Sequence, residues 1–254
     1  MTILHNYGMG WHRDNPDHRD HLYAAPGPLL QALPASVDLR PQCPLVYSQG
    51  NLGSCTSNAI AGALAFDQRK QGLPEFPPSR LFIYYCERAR EGTTSVDSGA
   101  YIRDGIKCVN RQGVCTEMLW PYDIPRFAVM PPIICYQEAS HHRALSYQRI
   151  ARSLNQMKAC LASGLPFVFG FSVYESFESQ SVAQTGIVPM PGSNEPTIGG
   201  HACLCVGYQD DKQVWICRNS WTAQWGDQGY FYLPYQYLLD GGLSADFWTI
   251  QTIQ

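Results

Sequence analysis

"SQGNLGSCTSNA", residues 48–59, decides how the rest of the chain is read. Cys55 follows a Gly-Ser pair and precedes an apolar stretch, and Gln49 stands six positions before it. Ser54 reads as a helix N-cap for a run that carries Ile60 and Leu64 on one face and stops near Gly72. Cys55 then lies in a first helical turn, where unpaired backbone N–H groups and the helix dipole favour an anion. Thiols are good nucleophiles near neutral pH only as thiolates, and a neighbouring imidazolium completes the activation. A cysteine at a helix start is nevertheless structural more often than catalytic. Chemistry at Cys55 requires a histidine and an orienting amide or carboxylate far downstream.

The chain has seven histidines. His5, His12, His18 and His21 lie near the N-terminus, and His141 and His142 lie in the polar stretch "EASHHRAL". Only His201 stands where a scaffold would hold it, at the start of an apolar strand after "IGG". Glycines before it leave room for another backbone to approach. Eighteen residues later "RNSWTAQWGDQGYFYLP" brings Asn219, whose amide can accept the other imidazole N–H, and Trp221, which can cover that bond from water.

Residues 1–35 read as an extended arm, rich in His, Asp and Arg and then in Pro and Gly, with no sustained period. Residues 36–124 are mainly helical: after the Cys55 helix, Ser79 starts a second and Ser98 a third, the latter with Ile102, Ile106 and Val109 on one face. Residues 125–254 open with a short helix at 153–164 and turn to strands: "PFVFGFSVY", "HACLCVGYQD", "VWICRNS", "GYFYLPY" and "DFWTIQT". A helical lobe thus precedes a sheet lobe, an α+β chain long enough for a substantial core.

Net charge is −3, and no stripe of Lys and Arg favours nucleic acid or an anionic membrane. No run approaches the ~18 apolar residues of a membrane span. The N-terminus carries charges where a signal peptide has its apolar core, which points to the cytoplasm or to export by a route without such a peptide. Ten cysteines without a C-x-x-C pair, most inside apolar runs, read as reduced core thiols. "HACLC" (201–205) can imitate a metal site, but a packed strand explains it better.

The three blocks together resemble the papain family of cysteine peptidases: "QGNLGSC" its Gln-to-Cys block, "GGHACLCVGY" its histidine block and "NSWTAQWGDQGY" its Asn-Ser-Trp block. "LPASVDLRP" (33–41) is similar to the start of the mature enzymes, and the short arm with "PDHRD" is similar to the bacterial branch that includes xylellain. The resemblance implies a two-lobe papain-like fold with the cleft between the lobes. It implies Cys55 as nucleophile, His201 as its ion-pair partner and acid, Asn219 as the orienter of His201, and Gln49 with the Cys55 N–H as oxyanion hole. It also places Ser98, Gly99, Gly200, Ala202 and Trp221 along the substrate path. A helix cap explains Asp97 and Ser98 equally well.

Departures from the family pattern bear on specificity. Leu52 stands where the family usually has a disulfide-bonded cysteine, and Thr56 where it has an aromatic. Gly200 replaces a frequent Asn or Asp, which would open the primed side of the cleft, and Thr222 replaces a frequent glycine. The expected partner is a protein or peptide substrate, with no cofactor, metal or nucleic acid, and a monomer is favoured. The arm is an exposed tail or a short pro-segment lying along the cleft; its four histidines would make release acid-triggered. Transglutaminase-like acyl transfer by the same triad, and a non-catalytic peptide-binding module, are the alternatives.

Overall fold

The computed structural model describes residues 7–254; His5 of the arm lies outside the described residues. The helices are α1 (Gly27–Gln31), α2 (Cys55–Lys70), α3 (Arg80–Glu91), α4 (Ile102–Arg111), α5 (Ile133–Ala139), α6 (Leu154–Ala162), α7 (Gln180–Thr185) and α8 (Tyr235–Leu239). The strands are β1 (Trp11–His12), β2 (Ser36–Asp38), β3 (Ala100–Tyr101), β4 (Ala144–Arg149), β5 (Phe167–Tyr174), β6 (Thr197–Gln209), β7 (Val214–Arg218), β8 (Tyr230–Pro234) and β9 (Ser244–Ile253).

One antiparallel sheet runs in the order β4-β9-β5-β6-β7-β8, with β2 added to β6. The chain therefore crosses between lobes early: residues 36–38 join the sheet before the helical lobe begins. α2 lies against β6 and β9 on one side and α3 and α4 on the other. Enclosed on both sides, it is buried along almost its whole length, from Cys55 to Gln68. The face carrying Ile60 and Leu64 is thus one of several buried faces, as expected for a central helix. Gly62 lets Arg218 of β7 cross close by: a Cβ there would meet Nε at 3.3 Å.

The helix starts at Ser79 and Ser54 differ in mechanism. The Ser79 side chain accepts from Phe82 N at 3.2 Å, a regular N-cap bond. Ser54 occupies the cap position of α2 without capping it. Its hydroxyl instead pairs with Tyr122 Oη and accepts from Asn58 Nδ2 at 3.1 Å. The third helix begins at Ile102 rather than at Ser98. Residues 100–101 are extended because they pair in parallel with Trp11–His12 of the arm, a partner no local pattern announces.

All ten cysteines are buried, and none forms a disulfide among the described residues. No helix of the described residues is long and apolar enough to cross a membrane.

Candidate active site

β6 and β7 are antiparallel neighbours with Leu204 opposite Arg218, so His201 near the start of one comes beside Asn219, just beyond the end of the other. His201 Nε2 donates to Asn219 Oδ1 at 2.8 Å. The same oxygen accepts from Ser220 N at 2.8 Å, which fixes the amide's orientation. With Nε2 as donor, a neutral His201 carries its lone pair on Nδ1. Nδ1 has no hydrogen-bond partner among the described residues. Phe171 and Trp221 contact the ring, the indole at 4.9 Å between centroids, and Phe177, Trp225 and Phe231 extend this apolar box.

Cys55 opens α2 and is fully buried. The backbone N–H groups of Ala202, Gly10 and Thr56 bear on its thiol. Ala202 is next to His201 in the chain, so the Cys55 thiol meets β6 one residue from His201. Gln49 links those lobes: its N donates to Ser220 O at 2.9 Å, and its Oε1 accepts from Ser220 Oγ at 2.6 Å.

The cleft is filled by the arm. Tyr7 stacks on Trp221 with centroids 4.9 Å apart and planes 6° from parallel, and its hydroxyl donates to Trp221 O. Gly8 O accepts from Gln49 Nε2 at 2.8 Å. Gly10 lies against Cys55 and against residue 53, where a Cβ on Gly10 would stand 1.7 Å from Gly53 O. Trp11 runs under the opposite wall and donates through Nε1 to Asp246 Oδ2 at 3.2 Å.

The sequence-selected substrate residues meet this arm in different ways. Gly99 faces the Gly10 carbonyl, but its own N–H is taken by Tyr84 Oη at 3.1 Å. The amide presented to the cleft is that of Ala100, which donates to Gly10 O at 2.7 Å. Ser98 contributes its carbonyl, which accepts from His12 Nε2. Gly200 makes room for Trp11, since a Cβ would sit 2.4 Å from Trp11 O. It thus lies at the Trp11 end of the cleft rather than at the Trp221 end.

Beyond Trp11 the arm is pinned by charge. Asp14 N donates to Asp246 Oδ2 at 2.8 Å, and Trp248 Nε1 donates to Asp14 Oδ2 at 3.0 Å. Arg103 and Arg149 both pair with Asp20 of the arm, at 2.7 and 2.9 Å, and Arg149 also reaches Asp246 at 3.2 Å. Three carboxylates here face two guanidiniums. Burial and then the neighbouring Asp246 push Asp14 up to about 7. Asp246 also sits at φ 61°, a costly conformation for a non-glycine residue that clusters at functional sites.

With the arm in place, burial works against charge on both Cys55 and His201. Burial pushes the Cys55 thiol up to about 12, although the surrounding N–H groups act the other way. Burial likewise pulls His201 down to about 4, against the raising effect of its bond to Asn219. A helix N-terminus alone does not produce a thiolate when water is excluded.

Local sequence patterns do not reveal the arm's place in the site or the anchors Asp14 and Asp246. Two glycines spaced by one residue between aromatics, "YGMGW", are the available signal of a close backbone approach.

Comparison with known proteins shows the family and the fold. Residues 33–240 match the sequence profile described as papain family cysteine protease. An uncharacterized peptidase C1-like protein of Acanthamoeba polyphaga mimivirus is 43% identical over 99% of this chain and 88% of its own. The cathepsin B-like CP2 of Giardia intestinalis is 28% identical over 78% of this chain and 68% of its own. Among solved structures, xylellain, a cysteine protease from Xylella fastidiosa, is 43% identical with a TM-score of 0.93, covering 98% of this chain and 97% of that one. A procathepsin B of Trypanosoma congolense shares the fold at 16% identity, with a TM-score of 0.75 over 98% of this chain and 87% of that one.

Proposed function

The chain belongs to the papain family of cysteine proteases, and from that premise we propose that Cys55, His201, Asn219 and Gln49 carry out peptide hydrolysis in a cleft that the chain's own arm occupies. The observation that supports the catalytic assignment best is the directed His201–Asn219 bond. It leaves Nδ1 as the free basic nitrogen on the ring of a histidine whose chain neighbour touches the Cys55 thiol.

In the open cleft, His201 Nδ1 takes the thiol proton and the Cys55 sulfur attacks the substrate carbonyl carbon. The oxygen that gains charge is held by the Gln49 amide and the Cys55 N–H, donors fixed before reaction begins. Collapse breaks the C–N bond as His201 returns the proton to the leaving amine, and an acyl-enzyme remains. Water, deprotonated by His201, then releases the acid and restores the thiol. Asn219 holds the ring's tautomer throughout, and Trp221 keeps that bond dry.

The arm acts as a restraint in this reading. Its Gly8 carbonyl uses the Gln49 donor, and its backbone seals Cys55 in a site where burial disfavours charge on both thiol and imidazole. Substrate and arm compete for one cleft, so activity follows the fraction of molecules with the arm released.

An epoxide-type cysteine-peptidase inhibitor and a fluorogenic dipeptide panel, applied to wild type and Cys55→Ala, test the assignment. Labelling and turnover in wild type, both lost in Cys55→Ala, are expected. Neither labelling nor turnover in wild type, even after residues 1–32 are removed, would sink the reading.

A further inference from the structure

The Gln49 amide nitrogen has two hydrogens and two acceptors. One is Gly8 O in the cleft; the other, at 2.9 Å, is Leu52 O. Leu52 O thereby sets the amide's rotation and leaves the remaining hydrogen aimed at the cleft, while Ser220 Oγ holds Oε1. The position of one peptide group, Leu52–Gly53, accordingly decides where the oxyanion donor points.

That peptide is gripped on its other edge. Gly53 N donates to both carboxylate oxygens of Asp97, at 3.1 Å each. Asp97 is itself held by the hydroxyl of Tyr84, a fully buried residue of α3, and the same hydroxyl oxygen accepts from Gly99 N at 3.1 Å. In a trans peptide the N–H and C=O point in opposite directions. Asp97 and the Gln49 amide therefore lie on opposite sides of one rigid plate. A carboxylate on the N–H also polarises the plate and strengthens the bond its carbonyl accepts. No covalent tie can be made at Leu52, and Asp97 supplies an anchor here that reductants cannot cut.

We propose that Asp97 is a positioning residue for the oxyanion-stabilising amide of Gln49, acting through the Leu52–Gly53 peptide. This rests on the assignment of Gln49 given above. It also gives the 97–100 segment a second task. The segment that presents the Ala100 amide to the cleft also sets the loop leading to the nucleophile, because Tyr84 joins Asp97 to Gly99.

The test is a double-mutant cycle on the full chain, with kcat and KM measured separately for wild type, Asp97→Ala, Gln49→Ala and the double variant, and Tm recorded for each. Asp97→Ala is expected to lower kcat about tenfold with KM within about twofold, because only the transition state uses the donor fully. In the Gln49→Ala background the same change is expected to cost less than about twofold. Asp97→Asn keeps an oxygen for Gly53 N and is expected to recover most of the loss; should Asp97→Ala not fold, the cycle is run with Asp97→Ser, whose short side chain withdraws the carboxylate, and a kcat loss confined to the background that retains Gln49 supports the proposal. Equal losses in both backgrounds, a change in KM alone, or an unchanged kcat would overturn it. If Gln49→Ala itself leaves kcat unaltered, the assignment of Gln49 fails and this inference with it, whereas a large Gln49→Ala effect beside an additive Asp97 effect removes only the inference.

Discussion

Gln49 and Gly8 are joined by a 2.8 Å bond from the side-chain amide to a carbonyl of the N-terminal arm. Under the proposed function, the amide that would receive a substrate's oxygen is thus engaged by the chain itself. Gly10→Ala tests whether this engagement limits access to Cys55. A Cβ at Gly10 would meet backbone at Gly53, which cannot yield without moving the loop that leads to Cys55. The variant should label with an epoxide inhibitor at least about tenfold faster than wild type, corresponding to roughly 1.4 kcal/mol or more of lost docking. Labelling at the wild-type rate would mean that the arm does not limit access.

The pH dependence of that access has a definite sign. A free aspartate titrates near 3.8, whereas the docked Asp14 titrates near 7. Docked Asp14 therefore holds a proton between those values that a released arm gives up. Docking tightens as pH falls from 7 toward 4 and is weakest, on a plateau, above 7. Release through protonation of the arm's histidines, the expectation from composition, has the opposite sign. The ratio of labelling rates between full-length and arm-deleted protein should rise by at least about tenfold from pH 5 to pH 8. In Asp14→Asn it should be nearly flat. A ratio that falls with pH would return the trigger to the histidines.

Asn219→Ala removes the acceptor of His201 Nε2 and leaves a buried donor unsatisfied. That costs about 1–3 kcal/mol and frees the ring to turn or change tautomer. We expect kcat to fall roughly 10- to 100-fold with a smaller change in KM. Full activity in this variant would show that the aromatic box alone holds His201.

Arg80 ties the base of the cleft together. Its guanidinium lies 3.9 Å from the Tyr122 ring centre and 4.7 Å from that of Tyr47. It forks onto Glu117 at 2.6 and 3.0 Å and donates to Ser48 O, the residue before Gln49. A lysine cannot reproduce this planar fork between two rings. Arg80→Lys should destabilise the fold by about 2 kcal/mol, or roughly 4–8 °C in Tm. An unchanged Tm would assign the cluster's stability to the tyrosines and Glu117 alone.

Much of the site is legible in the chain. Cys55, His201 and Asn219 stand in blocks whose neighbours, a helix start and two apolar strands, are themselves local patterns. Ser79 and the stop near Gly72 are legible for the same reason, because capping is decided within a few residues. Ser98 has the local look of a helix start, yet the conformation of residues 100–101 depends on pairing with Trp11–His12, some ninety residues earlier. Asp97 looks like a cap because nothing nearby in sequence reveals that its carboxylate meets Gly53 N.

The sequence by itself determined the main helices and strands and singled out Cys55, His201, Asn219 and Gln49 as candidates, because periodicity, caps and side-chain chemistry are local properties. Only the tertiary structure decided the state of those groups. Whether Cys55 is thiol or thiolate depends on what else fills the cleft, and that is settled by desolvation and by partners distant in the chain. The arm has no period of its own and takes its shape from the walls it touches. Its effect on Cys55, Gln49 and His201 exists only once the two lobes and residues 7–20 have come together.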